Sequence, residues 1–135
     1  MNLGPADLVS LEVVSVLIVE PNDDLRELMT LAAERECPVR ATASGHRGLA
    51  MLVDEPPSVL VCEVDLPGLS GEHLAVRARL LREPPLIVLV GADHDRLSRA
   101  ASYADRVLPK PFPMACLEAA VAEGCNAQLT AYRSR

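Results

Sequence analysis

The chain has 135 residues, half of them hydrophobic, which suits one compact domain with a substantial core and excludes a disordered polypeptide. Its formal net charge of −6 argues against broad nucleic-acid binding, which relies on clustered Lys and Arg. No apolar run approaches the roughly 20 residues that span a bilayer, and Met1 to Leu11 lacks the basic-then-apolar order of a secretory leader, so a cytoplasmic location is expected.

Residues 1–12 read as a flexible extension, and 13–132 as a single domain. Val13 to Val19 (VVSVLIV) is short, β-branched and almost wholly apolar, which fits a strand buried on both faces. Pro21 and Asn22 break it. Leu25, Leu28, Met29 and Ala32 then recur at helical spacing, with Asn22 or Asp23 placed to cap the start. Pro38 stops that helix, and Val39 to Ala43 can form a second strand. Ser44 can cap a helix carrying Leu49, Leu52 and Val53, which Pro56 and Pro57 end. Ser58 to Val64 (SVLVCEV) is a third strand, and Leu66 to Gly71 (LPGLSG) a turn-rich loop.

The alternation continues. A helix carries Leu74, Ala78 and Leu81 on one face and stops at Pro84 and Pro85. Leu86 to Val90 (LIVLV) is a fourth strand, followed by a short helix around Asp95 to Ala101. Arg106 to Leu108 makes a brief fifth strand. The last helix runs from about Pro113 to Tyr132, with Leu117, Ala120, Val121 and Cys125 inward and Gly124 as a weak point. Aromatic residues are limited to Tyr103, Phe112 and Tyr132, so the core rests on Leu, Val, Ile and Ala. Five strands alternating with five helices predict a doubly wound α/β fold with a parallel sheet and helices on both faces. The chain has no room for a second domain, so it is expected to act alone or as a piece of something longer.

Chemistry in such sheets gathers at the carboxyl ends of the strands, near the topological switch point. There the sequence places Glu20, Glu63 with Asp65, Val90, and Lys110. Two carboxylates can hold a hard cation such as Mg²⁺. A lysine can neutralise phosphoryl oxygens or simply pair with Glu63 or Glu20. Glycine-rich nucleotide-binding signatures are absent. Cys37, Cys62, Cys116 and Cys125 form no C-x-x-C pair, so zinc is not expected and mostly buried free thiols are.

Taken in order, VLIVEPNDDLREL, VLVCEVDLPGLSG, LIVLVGA and VLPKPF resemble the receiver domain of bacterial two-component response regulators, over about Val14 to Thr130. The resemblance implies a flavodoxin-like sheet of order 2-1-3-4-5. It also implies an acidic, metal-binding pair after the first strand, where this chain has Glu20 and Pro21. The phosphoacceptor Asp at the end of the third strand corresponds to Glu63, and a metal-binding backbone carbonyl to Asp65. A Ser or Thr on the fourth strand and an aromatic residue on the fifth, which relay activation, correspond to Val90 and Val107. The family lysine is present as Lys110, and Lys110-Pro111 looks like the family's cis peptide.

The expected result is a degenerate, or pseudo-receiver, site. One acid is lost at Pro21, the acceptor is longer at Glu63, and the relay is missing at Val90 and Val107. No cofactor is expected beyond weak Mg²⁺. The chain is expected to be a non-enzymatic, phosphorylation-independent protein-interaction module with a built-in Glu63–Lys110 pair. The alternative is a working phosphoacceptor, using Asp65 or Glu63 with Mg²⁺. The resemblance further implies partner binding or self-association through the face of the fourth helix, fifth strand and fifth helix, with Arg99, Tyr103, Arg106 and Leu117; from the acidic charge and the lack of a long apolar run, no nucleic-acid or membrane partner is expected. The stretch from Val90 to Lys110 is short for the family, which implies a trimmed fourth helix.

Overall fold

A computed structural model describes residues 14–134. The expected extension over residues 1–12 lies outside the described residues. The elements in chain order are β1 (Val16–Val19), α1 (Asp23–Glu34), β2 (Val39–Thr42), α2 (Gly45–Asp54), β3 (Val59–Glu63), α3 (Gly71–Arg79), β4 (Leu86–Gly91), α4 (His94–Ala100), a 3₁₀ turn (Ala101–Tyr103), β5 (Arg106–Pro109) and α5 (Met114–Arg133). The strands form one parallel sheet in the order β2-β1-β3-β4-β5. The fourth helix is indeed short, at seven residues.

Side chains alternate across the strands and so divide the core in two. Val16, Ile18, Val59, Val61, Val88 and Val90 face α1 and α5, where they meet Met29, Ala33, Leu117 and Val121. Leu17, Val19, Leu60, Cys62, Ile87 and Leu89 face α2, α3 and α4, where they meet Leu52, Leu74, Ala78 and Leu97. Both faces of the central strands are therefore dry, which is why these segments read as continuous apolar runs rather than alternating ones.

Helix starts follow the local chemistry. The side chains of Asn22, Ser44, Ser70 and Asp93 each accept a backbone N–H from the first turn of the helix they precede. Asn22, not Asp23, caps α1. The helix faces are rotated from two expectations. Leu28 and Val53 are exposed, and the buried stripes are Met29, Ala32 and Ala33 in α1 and Gly45, Gly48 and Leu52 in α2. Adjacent apolar residues lie about 100° apart on a helix, so only one of each pair can face the sheet.

Gly124 is a packing position rather than a weak point. A Cβ there would lie 2.4 Å from Val59 Cγ2 and 3.0 Å from Leu86 Cβ, so α5 rests directly on β3 and β4. Leu117 is buried at 0% exposure inside the α5 core, which removes it from any interaction surface. Cys116, expected among buried thiols, is exposed because it sits one residue off the inward stripe of Leu117, Ala120, Val121 and Gly124.

Candidate functional site

Parallel pairing brings the ends of β1, β3 and β5 to one edge of the sheet. Glu20 directly follows β1, Glu63 is the last residue of β3, and Lys110 directly follows β5. The Lys110 backbone N–H donates to the Gly91 carbonyl at 2.8 Å, which fixes its strand end against β4. The Lys110-Pro111 peptide is cis.

Lys110 reaches both carboxylates. Its Nζ lies 2.8 Å from Glu63 Oε1, to which it donates a hydrogen bond, and 2.8 Å from Glu20 Oε1. The two pairings left open in the sequence therefore coexist. Glu20 is 1% exposed and Glu63 is 7% exposed, whereas the Lys110 side chain keeps 20% of its surface. The contact to Glu20 is short but poorly aligned, since Glu20 Oε1 is a buried side-chain oxygen with no hydrogen bond. Charge, rather than a directed bond, holds that side of the cluster.

The other carboxylate oxygens are occupied by backbone. Glu20 Oε2 accepts the Asn22 N–H at 3.0 Å, and Glu63 Oε2 accepts the Asp65 N–H at 3.3 Å. Burial by itself draws the Lys110 ammonium down, but its contacts with Glu20 and then Glu63 outweigh that and leave its pKa above the ordinary value. Two carboxylates around one ammonium give the cluster a formal charge of −1.

These residues do not fit a bound Mg²⁺. A hard cation wants about six oxygens in a near-octahedral shell. Pro21 brings no side-chain oxygen, and both available carboxylates already hold Lys110 and a backbone N–H. Among the described residues no three His, Cys, Asp or Glu side chains gather to hold a metal.

The remaining positions divide between this edge and elsewhere. Val90 lies opposite Glu63 in the β3–β4 register, fully buried and without a hydroxyl. Val107 pairs with Leu89 in the β4–β5 register and is exposed on the edge strand. Asp65 turns away from Lys110. Its carboxylate is 78% exposed and lies 2.9 Å from Arg96 Nη1. Arg96 also contacts Glu72 at 3.2 Å, so it ties α4 to the loop after β3 and to α3. Nothing in the sequence singled out Arg96, whose partners lie 24 and 31 positions away.

The loop after β3 depends on one close approach. A Cβ on Gly71 would meet the Glu63 carbonyl oxygen at 2.2 Å, so only glycine lets α3 start this near the site. On the expected interaction face, Arg99, Tyr103 and Arg106 are exposed, and Arg106 pairs with Glu123 of α5. Cys62 lies buried beside the cluster. Burial raises its thiol pKa strongly, and Glu63 and Glu20 add to that.

Comparison with known proteins gives a consistent result. The model of the response regulator receiver domain matches residues 16–122. The chain is 33% identical over 110 residues to the transcriptional regulatory protein AfsQ1 of Streptomyces coelicolor, covering 79% of this chain and 49% of that protein. It is 37% identical over 109 residues to the transcriptional regulatory protein CseB of the same organism, covering 78% of this chain and 47% of that one. The chain thus spans about half the length of these relatives. Among solved structures, a putative response regulator from Chloroflexus aurantiacus superposes with a TM-score of 0.75 at 27% identity, covering 84% of this chain and 98% of that one. A receiver domain from Clostridium thermocellum gives 0.75 at 17% identity, covering 85% and 96%, a likeness of fold alone.

Proposed function

The chain belongs to the response regulator receiver domain family of signal transduction, and from that premise we propose that it is a phosphorylation-independent receiver working through protein contact. The observation that carries this reading is the Lys110 ammonium lying 2.8 Å from both Glu63 and Glu20. The cation that would meet an incoming phosphoryl group is already neutralised. The cluster's formal excess of one negative charge would repel a phosphoryl donor, and the residues do not fit the metal that would offset it.

Further features support the same reading. Glu63 is one methylene longer than the Asp of the family pattern, and misplacing a reacting atom by about 1 Å can cost ~100-fold in rate. Val90 has no hydroxyl to hold a phosphoryl oxygen, and Val107 has no ring to turn inward. Asp65, the other candidate acceptor, is engaged with Arg96 instead of Lys110. In this reading the chain has no catalytic role of its own. Its partner is a protein or a second copy, received on the α4–β5–α5 face with Arg99, Tyr103 and Arg106.

The test is to record backbone amide NMR shifts for that face with and without Mg²⁺ and an acyl phosphate donor. The expected result is no concerted change. A concerted shift of β5 and α4 amides that reverses when the donor is exhausted would overturn the reading and restore an ordinary switch.

A further inference from the structure

Cys37 lies in the turn between α1 and β2, and Cys125 on the inward face of α5. They are 88 positions apart in sequence, yet their sulfurs are 2.6 Å apart. That is longer than the ~2.05 Å of a covalent bond but closer than unbonded sulfurs ordinarily rest. Both side chains pack against the apolar cluster that includes Val14, Ala33 and Val121, and the pair plays no part in the Glu20–Glu63–Lys110 site. We propose that Cys37 and Cys125 form a reversible disulfide, a modification site that takes a low-molecular-weight disulfide as its oxidant.

The surroundings assign the order of events. Cys37 is part-exposed and Cys125 is buried, so an incoming disulfide meets Cys37 first. The side-chain contact with Cys125 lowers the Cys37 thiol pKa, against the opposing effects of burial and Glu36. The same contact, and then burial, raises Cys125. Its greater exposure makes Cys37 the attacking thiolate and Cys125 the resolving thiol.

In the first step Cys37 Sγ attacks one sulfur of the small disulfide. The S–S bond breaks, one small thiolate leaves, and a mixed disulfide remains on Cys37. In the second step Cys125 Sγ attacks Cys37 Sγ, its proton passes to the departing second thiolate, and the mixed bond breaks. The protein loses two protons and two electrons, and the oxidant takes them up to become two small thiols. The new bond ties the turn after α1 to the middle of α5, one of the elements of the candidate interaction face. Closing so long a loop is expected to raise Tm by on the order of 10 °C.

The experiment uses the Cys116→Ser variant, which removes the exposed thiol and leaves Cys125 as the only cysteine on α5. The reduced protein is treated with glutathione disulfide, free thiols are blocked with N-ethylmaleimide, and the chain is digested with trypsin. The expected result is a peptide containing Cys37 joined to one containing Cys125, separable again by dithiothreitol. Recovery of Cys37 as a stable glutathione adduct, or of both thiols in blocked form, would overturn the proposal. Adding Cys125→Ser should convert the internal link into a persistent glutathione adduct on Cys37. If that variant does not fold, the peptide link in the Cys116→Ser protein still decides.

Discussion

Replacing Lys110 with Met removes the charge between two carboxylates and keeps most of the side chain's bulk. Glu20 and Glu63 are then left facing one another at 1% and 7% exposure. Removing one partner from a buried ion pair costs roughly 3–5 kcal/mol, because the remaining charge is left uncompensated. Two stranded carboxylates push the cost up, while the 20% of Lys110 surface that reaches water pulls it down. We therefore expect a loss of about 3 kcal/mol, or roughly 10 °C in Tm for a domain of this size. Urea unfolding of wild type and Lys110→Met at neutral pH measures it directly, with Glu63→Gln added to each to complete a double-mutant cycle. Adding Glu63→Gln to Lys110→Met should recover part of the loss. A cost below about 1 kcal/mol, as for an exposed ion pair, would show that the three residues do not form a buried cluster.

The same cluster sets a pH dependence. The folded pKa of Lys110 is raised, so its stabilising contribution is fully present below the ordinary lysine value near 10.4 and fades as pH climbs through the folded value. The stability gap between wild type and Lys110→Met should hold constant from neutral to about pH 10 and narrow above it; a gap that closes well below that range would contradict the assignment. Gly124→Ala should destabilise by about 1–3 kcal/mol despite alanine's better helix propensity, because its Cβ would collide with Val59; a gain in Tm would contradict the close packing of α5. Arg96→Ala should change global stability by less than about 1 kcal/mol while speeding amide exchange in α4, since its two ion pairs tie that helix to the loop after β3 and to α3.

Much of this architecture is written in local patterns. The runs VLIV, VLVC and LIVLV are apolar on both faces, as a short strand sandwiched between helices requires, and prolines and capping residues punctuate the helices between them. Which face of a helix is buried is less legible where apolar residues are adjacent, as at Leu28 and Met29 or Leu52 and Val53. The site residues stood out because strand ends collect chemistry. Their partners did not, since pairing depends on side-chain reach across the sheet. That is why Lys110 could be read toward either Glu20 or Glu63 but not toward both. The ties of Asp65 to Arg96 and of Cys37 to Cys125 join positions that no local period relates.

The central claim is that the strand-end cluster has replaced the phosphoryl switch. It is tested most directly by the intact mass of the wild-type chain after incubation with Mg²⁺ and an acyl phosphate, beside a Pro21→Asp/Glu63→Asp/Val90→Thr variant that rebuilds the family pattern. The expected result is an unmodified wild-type mass and a labile phosphoryl adduct on the rebuilt variant. A labile adduct on the wild type, at Glu63 or Asp65, would contradict the claim.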